Sequence, residues 1–386
     1  MNNFKKLHQA VSQKKTLLGV GPMSKNIVDA SIELSDKHNI PIMLIASRRQ
    51  IESQIYGGGY VNNWTTNDFS KYVKRKQKKN NIFLARDHGG PWQNQMDIEN
   101  KLSLKNAMKM AKKSFEDDIL NNFSLIHIDT SVSLNNSVSF NQALNRLFEL
   151  YEHCFIFANK NKKKILFEVG TEEQNGSTSS LEGLELTLNE LKNFCTKNKF
   201  PMPTFVVVQS GTKVMELRNI GSFEWPTRIK NELPIEIHLL KTLEICKKYQ
   251  IYMKEHNADY LSTESLNWHP KIGIHAANIA PEFGVAETKA LVDILTENNL
   301  KEEREKFLVI SHKSNKWKKW MMKKTMTSDY EKSIISGHYV FSNKEFLDLK
   351  KNIISKLNKK GINLDNFLKK IVSNSIKRYL KSFRLI

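Results

Sequence analysis

At 386 residues the chain can fill one large domain or two ordinary ones, and its 40% apolar content with 20 Phe, 10 Tyr and 6 Trp excludes global disorder. Its 60 basic and 40 acidic residues leave a net charge of +20, but the lysines lie in short scattered clusters such as Lys162-Lys163-Lys164 and Lys323-Lys324. No basic tract interleaved with aromatics is present, so the surplus reads as a solvated lysine coat and nucleic-acid binding is not expected.

Short apolar runs alternate with longer amphipathic stretches. The expected strands are TLLGV (16–20), PIMLIAS (41–47), NIFLARD (81–87), SLIHIDTS (124–131), KILFEVGT (164–171), FVVVQSGT (205–212), ADYLS (258–262) and KIGIH (271–275). Between them, Leu104, Ala107, Met108, Ala111 and Phe115 share one helical face behind a Ser103 N-cap. Leu144, Leu147, Phe148, Tyr151 and Phe155 mark a second helix, and Leu184, Leu188, Leu191 and Cys195 a third. Continuous apolar strands separated by helices imply a parallel sheet covered on both faces. About eight such units in roughly 250 residues fit an α/β fold of the (β/α)8 TIM-barrel type over 1–312. A doubly wound open sheet is the alternative, because periodicity alone does not show closure. From 313 to 386 the sequence turns Lys- and Leu-rich, which predicts a helical C-terminal extension packed on the barrel or on a partner.

Cys154, Cys195 and Cys246 each sit in an apolar helical pattern without metal-knuckle spacing, as expected in a reducing compartment. The polar start MNNFKKLHQAVSQKK and the lack of a run near ~18 apolar residues predict no membrane span and a cytoplasmic protein.

The informative residues stand where apolar runs end. Strand ends deliver Arg86-Asp87-His88, His127 and Asp129, Glu168 and Glu172, Gln209, and His275. In a barrel these ends face one side, where the loops build the active site. Singly, each has a plain structural use: His127 between Ile126 and Ile128 suits a hydrogen-bonded core, and Asp129 before Thr130-Ser131 suits a turn. Jointly they offer nitrogen and oxygen ligands for a divalent metal and a carboxylate able to move a proton. That set suits proton abstraction or aldol cleavage beside a carbonyl. On a strand end Asp87 and His88 are expected to point to different sides, one toward metal and one toward substrate.

Glycine-rich pieces are weaker. LGVGPMS (18–24) lacks the third glycine and acidic partner of a dinucleotide fingerprint, and no Walker A motif occurs, so no nucleotide cofactor is expected. YGGGY (56–60) could approach a phosphate, and Arg48-Arg49 could clamp an anion.

The ordered succession DHGGP (87–91), IHIDTS (126–131), VGTEEQNG (169–176), VVQSG (207–211), EHNADY (255–260) and KIGI (271–274) resembles the large, non-catalytic subunit of class II D-tagatose-1,6-bisphosphate aldolase. The tail WKKWMMKKT (317–325), with Tyr330 and Tyr339, is similar to that family's Trp-Lys-Lys-Tyr-Tyr region, so the likeness runs over about 17–385. It implies a class II aldolase-like barrel in carbohydrate metabolism, a sugar-phosphate ligand, an oligomer, and a smaller zinc-dependent aldolase subunit as partner. It also implies a divalent metal (Zn, Mn or Fe). Asp87-His88 is similar to the base and zinc-ligand pair of catalytic class II aldolases, whereas Gln209 stands where those enzymes offer a histidine. Together with the strand-end argument, this makes Asp87 and Glu172 the candidate proton-transfer groups. His88, Asp129, Glu168 and Gln209 are the candidate ligands, and Arg48, Arg49, Arg86, His127, His256, His275 and Asn278 the candidate substrate contacts.

Three segments depart from the family pattern: Ala46-Ser47-Arg48-Arg49-Gln50 replaces an acidic Glu-Ala-Thr-Ser-Asn-Gln, Gly90 and Trp92 replace Leu and Asn, and 275–288 replaces a shorter segment. They imply a divergent member with a larger or more anionic ligand. Three functions stay open at this level: an aldolase component, an independent metal-dependent aldolase or epimerase on a phosphorylated or nucleotide-linked sugar, and a structural partner.

Overall fold

A computed structural model of the chain describes residues 3–134, 138–170, 178, 180–223 and 234–386. The chain runs α1 (Asn3–Ser12), β1 (Leu17–Val20), α2 (Lys25–His38), β2 (Ile42–Ser47), α3 (Thr66–Lys76), β3 (Ile82–Gly89), α4 (Gln95–Glu99), α5 (Leu104–Leu120), β4 (Leu125–Asp129), α6 (Phe140–Lys160), β5 (Leu166–Gly170), α7 (Leu181–Asn198) and β6 (Phe205–Val208). A small hairpin follows, β7 (Val214–Met215) and β8 (Arg218–Asn219), then α8 (Ile235–Lys248), β9 (Tyr252–Glu255), α9 (Thr263–Ile272), β10 (Ala276–Ile279) and α10 (Pro281–Glu297). The chain ends in α11 (Lys301–Lys313), α12 (Asp329–Ser336), α13 (Lys344–Asn358) and α14 (Leu364–Ser382).

Eight strands close into a parallel barrel in the order β1-β10-β9-β6-β5-β4-β3-β2. The apolar runs buried on both faces make closure favourable, since the strands offer no side to water. Ser103 caps α5 as expected, accepting from the Asn106 N–H, and Ser139 with Gln142 forms a capping box on α6.

The last two strands differ from expectation. ADYLS is a loop after β9, and KIGIH is split. Lys271 and Ile272 end α9, and Gly273, at φ +95°, takes the left-handed turn that closes it. The strand that pairs with β1 is the following AANI. The seventh barrel strand is YMKE, whose Lys254 and Glu255 hid it from an apolar count.

The barrel interior is divided by height. A lower layer is apolar, with Leu17, Met43, Ile45, Phe83, Ala85, Leu125, Phe205 and Ala276, and Leu7 and Ala10 of α1 plug it from below. The polar residues occupy the layer above, at the strand C-termini. After β10, helices α10 to α14 share a hydrophobic cluster of their own, centred on Leu291, Leu295, Phe307, Ile353 and Leu357. Val372, Ile376, Tyr379 and Phe383 of α14 join the main core, so the C-terminal helices are packed on the barrel. No helix among the described residues is long and apolar enough to cross a membrane.

Candidate active site

β3 carries the site because its pairing is irregular. Arg86 pairs with Ile126 but Gly89 pairs with Ile128, so β3 spends three steps where β4 spends two. The extra residue is a bulge. His88 sits in it at φ +46°, a conformation that costs a non-glycine residue roughly 1 kcal/mol or more. The bulge corrects the expectation that Asp87 and His88 face opposite sides: the His88 Nε2 lies 3.9 Å from Asp87 Oδ2, and both face the barrel axis. Gly90 completes the turn at φ +153°, where a Cβ would meet the Asp129 carbonyl oxygen at 2.1 Å.

Three imidazoles meet above the apolar layer. The ring centroids of His88, His127 and His256 are 5.0 to 5.3 Å apart, and each ring offers a nitrogen within 4.8 Å of the others. Asp87, His127, Glu168 and His256 form an overlapping set by the same measure. His127 and His256 are buried, whereas 38% of the His88 side chain remains open to solvent.

Hydrogen bonds fix this cluster. His88 Nδ1 donates to Asp129 Oδ2 at 2.6 Å, which turns its Nε2 to the inner side. His127 Nδ1 accepts from the His88 backbone N–H at 3.1 Å. His256 Nε2 lies 2.9 Å from Glu168 Oε1 and 3.0 Å from Asn278 Nδ2, and the Asn278 amide also donates to Asp87 Oδ1 at 3.2 Å. Beneath them the buried Lys254 ammonium holds Glu168 Oε2 at 2.5 Å.

The charges follow from this geometry. Burial alone would raise the Asp87 pKa, but the His88 and His256 imidazoles outweigh it and hold the carboxyl well below the usual range. Burial would likewise raise Glu168, and Lys254 with His127 brings it down to about 2. Both groups are therefore carboxylates at neutral pH. Burial lowers the His256 pKa and keeps that ring neutral, while on His88 the Asp87 and Asp129 carboxylates override burial and raise it. Three imidazoles and two carboxylates are a donor set that suits Zn, Mn or Fe, so these residues fit the divalent metal implied by the aldolase resemblance.

The structure distributes the expected residues unevenly. Asp87, His88, His127, Glu168, His256 and Asn278 converge, and the two histidines expected to touch substrate lie among the nitrogen donors. Asp129 stands one layer out: its oxygens serve His88, Gln93 and Ser131. Gln209 follows β6 and is buried. Glu172 lies outside the described residues.

Two expected substrate contacts are elsewhere. Arg86 is buried with its guanidinium on Asp118 at 2.6 and 2.7 Å and on the Ala46 and Ile51 carbonyls, because alternation turns it outward while Asp87 turns in. His275 precedes β10 at the opposite end of the barrel, where it accepts from the Met253 N–H. Shifting the last strand past it moves His275 from the top to the bottom. Arg48 is buried on Glu52 and Asp97, and Arg49 is exposed beside it. Lys254 was missed altogether; its only signal was a charged residue two before His256.

Residues 2–197 match the family model described as D-tagatose-1,6-bisphosphate aldolase subunit GatZ/KbaZ-like. The chain belongs to this GatZ/KbaZ-like family. It is accordingly a tagatose-bisphosphate aldolase-like protein of carbohydrate metabolism. No curated protein matches it. Among solved structures it is similar to a probable tagatose 6-phosphate kinase from Sinorhizobium meliloti 1021, at 15% identity over 95% of this chain and 100% of that one, with a TM-score of 0.68. A fructuronate-tagaturonate epimerase from Cohnella laeviribosi matches at 10% identity over 96% and 81%, with a TM-score of 0.59. The fructose-bisphosphate aldolase of Campylobacter jejuni matches at 11% identity over 99% and 94%, with a TM-score of 0.56. At these identities the likeness establishes the closed barrel fold of this GatZ/KbaZ-like chain.

Proposed function

We propose that this GatZ/KbaZ-like protein is itself a metal-dependent aldolase-type lyase acting on a ketose phosphate. The carrying observation is the convergence of His88, His127 and His256 around an ionised Asp87. His88, His127 and His256 would hold the ion, and a bound divalent ion supplies a Lewis acid for a carbonyl oxygen. Asp87 takes or returns the proton on the carbon beside that carbonyl; its carboxylate is the base form at neutral pH. Asn278 aims the Asp87 oxygen through the 3.2 Å hydrogen bond, and Asp129 fixes the His88 ring. Lys254 holds Glu168 ionised at the base of the cluster.

Elemental analysis of the protein purified alone tests this. About one equivalent of Zn, Mn or Fe per chain is expected, lost in His88→Ala. Asp87→Asn should retain the metal and the fold while lowering turnover of a responsive ketose phosphate by about 10² or more. Metal-free protein, or turnover indifferent to Asp87→Asn, removes the assignment.

Membership in a family of aldolase subunits supports a second reading, in which the chain assists a smaller class II aldolase. Recovery of an aldolase chain in pull-downs, with activity restored on mixing, would favour it.

A further inference from the structure

A cavity of about 420 Å³ opens at the turn after β2. Its walls include Arg48 and Arg49 from the turn after β2, Tyr60 from YGGGY, and Lys316, Lys318 and Lys319 from the segment between α11 and α12. Five basic side chains thus line one cavity, and none of its lining residues is acidic.

The cavity is built, not merely charged. Arg48 is 99% buried, since 1% of it is exposed. Its Nε and Nη1 are taken by Glu52, Asp97 and the Gly90 carbonyl, but its Nη2 has no partner. A buried guanidinium N–H without an acceptor is costly unless a ligand supplies one. The C-terminal segment is locked in place across the cavity: Trp320 Nε1 donates to the Tyr339 hydroxyl at 3.2 Å, the Lys319 ammonium lies over the Tyr339 ring, and that ring packs on Tyr60. The connection to the histidines runs through Arg48, whose bond to the Gly90 carbonyl at 2.9 Å reaches the turn that carries His88.

Another lysine-lined cavity on this molecule has a different character. The one containing Lys105, Lys109 and Lys112 also contains Glu116 and Glu149, and Lys112 is paired with Glu149 at 2.7 Å. There two carboxylates offset part of the charge. Among the described residues, the cavity after β2 has no acidic lining residue, and of its five basic groups Arg48 is the one paired with carboxylates, Glu52 and Asp97 behind it.

We propose that the cavity formed by Arg48, Arg49, Lys316 and Lys319 binds the phosphoryl group of a phosphomonoester, holding a sugar phosphate by the end remote from the histidine cluster. This rests on the reading of the protein as acting on a ketose phosphate and adds the site that recognises the phosphate. The planar guanidiniums accept bidentate oxygen contacts and the lysines neutralise the dianion.

Calorimetric titration of the full chain with inorganic phosphate, a ketohexose monophosphate and the unphosphorylated ketohexose tests it. Phosphate and the monophosphate should bind and the free sugar should bind at least about tenfold more weakly. Arg49→Ala and Lys319→Ala should each weaken phosphate about tenfold, and the pair further, while Lys105→Ala/Lys109→Ala leaves it unchanged. His88→Ala should lose metal but keep phosphate binding, and Arg49→Ala should do the reverse, which separates failure of this site from failure of the metal reading. Phosphate binding indifferent to Arg49→Ala and Lys319→Ala, or weakened equally by the Lys105/Lys109 pair, overturns the proposal, as does a wild-type chain that binds no phosphate.

Discussion

Two buried charge clusters meet on β3, and they are built on opposite principles. On its outer side Arg86 and Arg48 are matched to Asp118, Glu52 and Asp97, all with side chains fully withdrawn from water. On its inner side Asp87 and Glu168 face three imidazoles and one lysine, with His88 open to solvent and its backbone strained. Arg86 and Asp87 are neighbours, yet the first secures the turn after β2 and the second faces a chamber. A cluster in which each cation has a dedicated carboxylate stabilises the fold. One in which three imidazoles share carboxylates, at a bulge, keeps donors available for something else.

The largest expected effect tests the outer cluster. Arg86→Met should cost about 3–5 kcal/mol in urea unfolding, because Asp118 is left buried and unpaired. Adding Asp118→Leu should recover most of it. A loss under about 1 kcal/mol would show that water reaches Asp118 and that the contrast between the clusters is false.

A histidine outside both clusters measures what carboxylates contribute. Burial lowers His275 from its ordinary 6.5 to about 4, and no carboxylate opposes it. Its folded-state pKa is depressed, so the unfolded chain binds the proton more readily. Stability should therefore fall as pH drops from about 6.5 to 4, by up to about 3 kcal/mol. His275→Ala should flatten that part of the pH–stability curve without changing metal content; an unchanged slope would reject the assignment.

The inner cluster should respond in ligand affinity more than in stability. Asp129→Asn weakens the hold on His88 Nδ1 and should reduce metal affinity by roughly 10–100-fold at little cost in unfolding free energy. Competition with a chromogenic chelator reads this directly, and wild-type affinity would return Asp129 to the role of a turn residue. The smallest effect is expected from Lys254→Met. Removing the ammonium frees Glu168 from its 2.5 Å partner and should tighten metal binding about tenfold. Weaker binding would mean that Lys254 assembles the site instead of competing with the ion.

Much of the architecture was legible because it rests on local patterns. Six of the barrel strands announce themselves as largely apolar runs, since strands covered on both faces bury most of their side chains. β9 broke that rule because its polar residues are buried for different reasons: Lys254 turns inward to Glu168, while Glu255 turns outward to His269 at 2.8 Å. An apolar count cannot distinguish such a strand from a loop, and the error carried His275 to the wrong end of the barrel. Asp87 and His88 stood out as a charged pair at a strand end. Their shared direction did not, because a bulge is defined by the register of the neighbouring strand.

By itself the sequence determined the alternation of strands and helices, the α/β class and the presence of histidines and carboxylates near strand ends. These follow from side-chain hydrophobicity and from the periods of helix and strand, which act over a few residues. Only the tertiary structure decided which of those groups meet. Barrel closure brings His88, His127 and His256, 168 residues apart along the chain at their extremes, within 4.8 Å of one another. It also sets Lys316 and Lys319 across from Arg49. Such contacts depend on strand register and on the packing of the C-terminal helices, which no local stretch of the chain encodes alone.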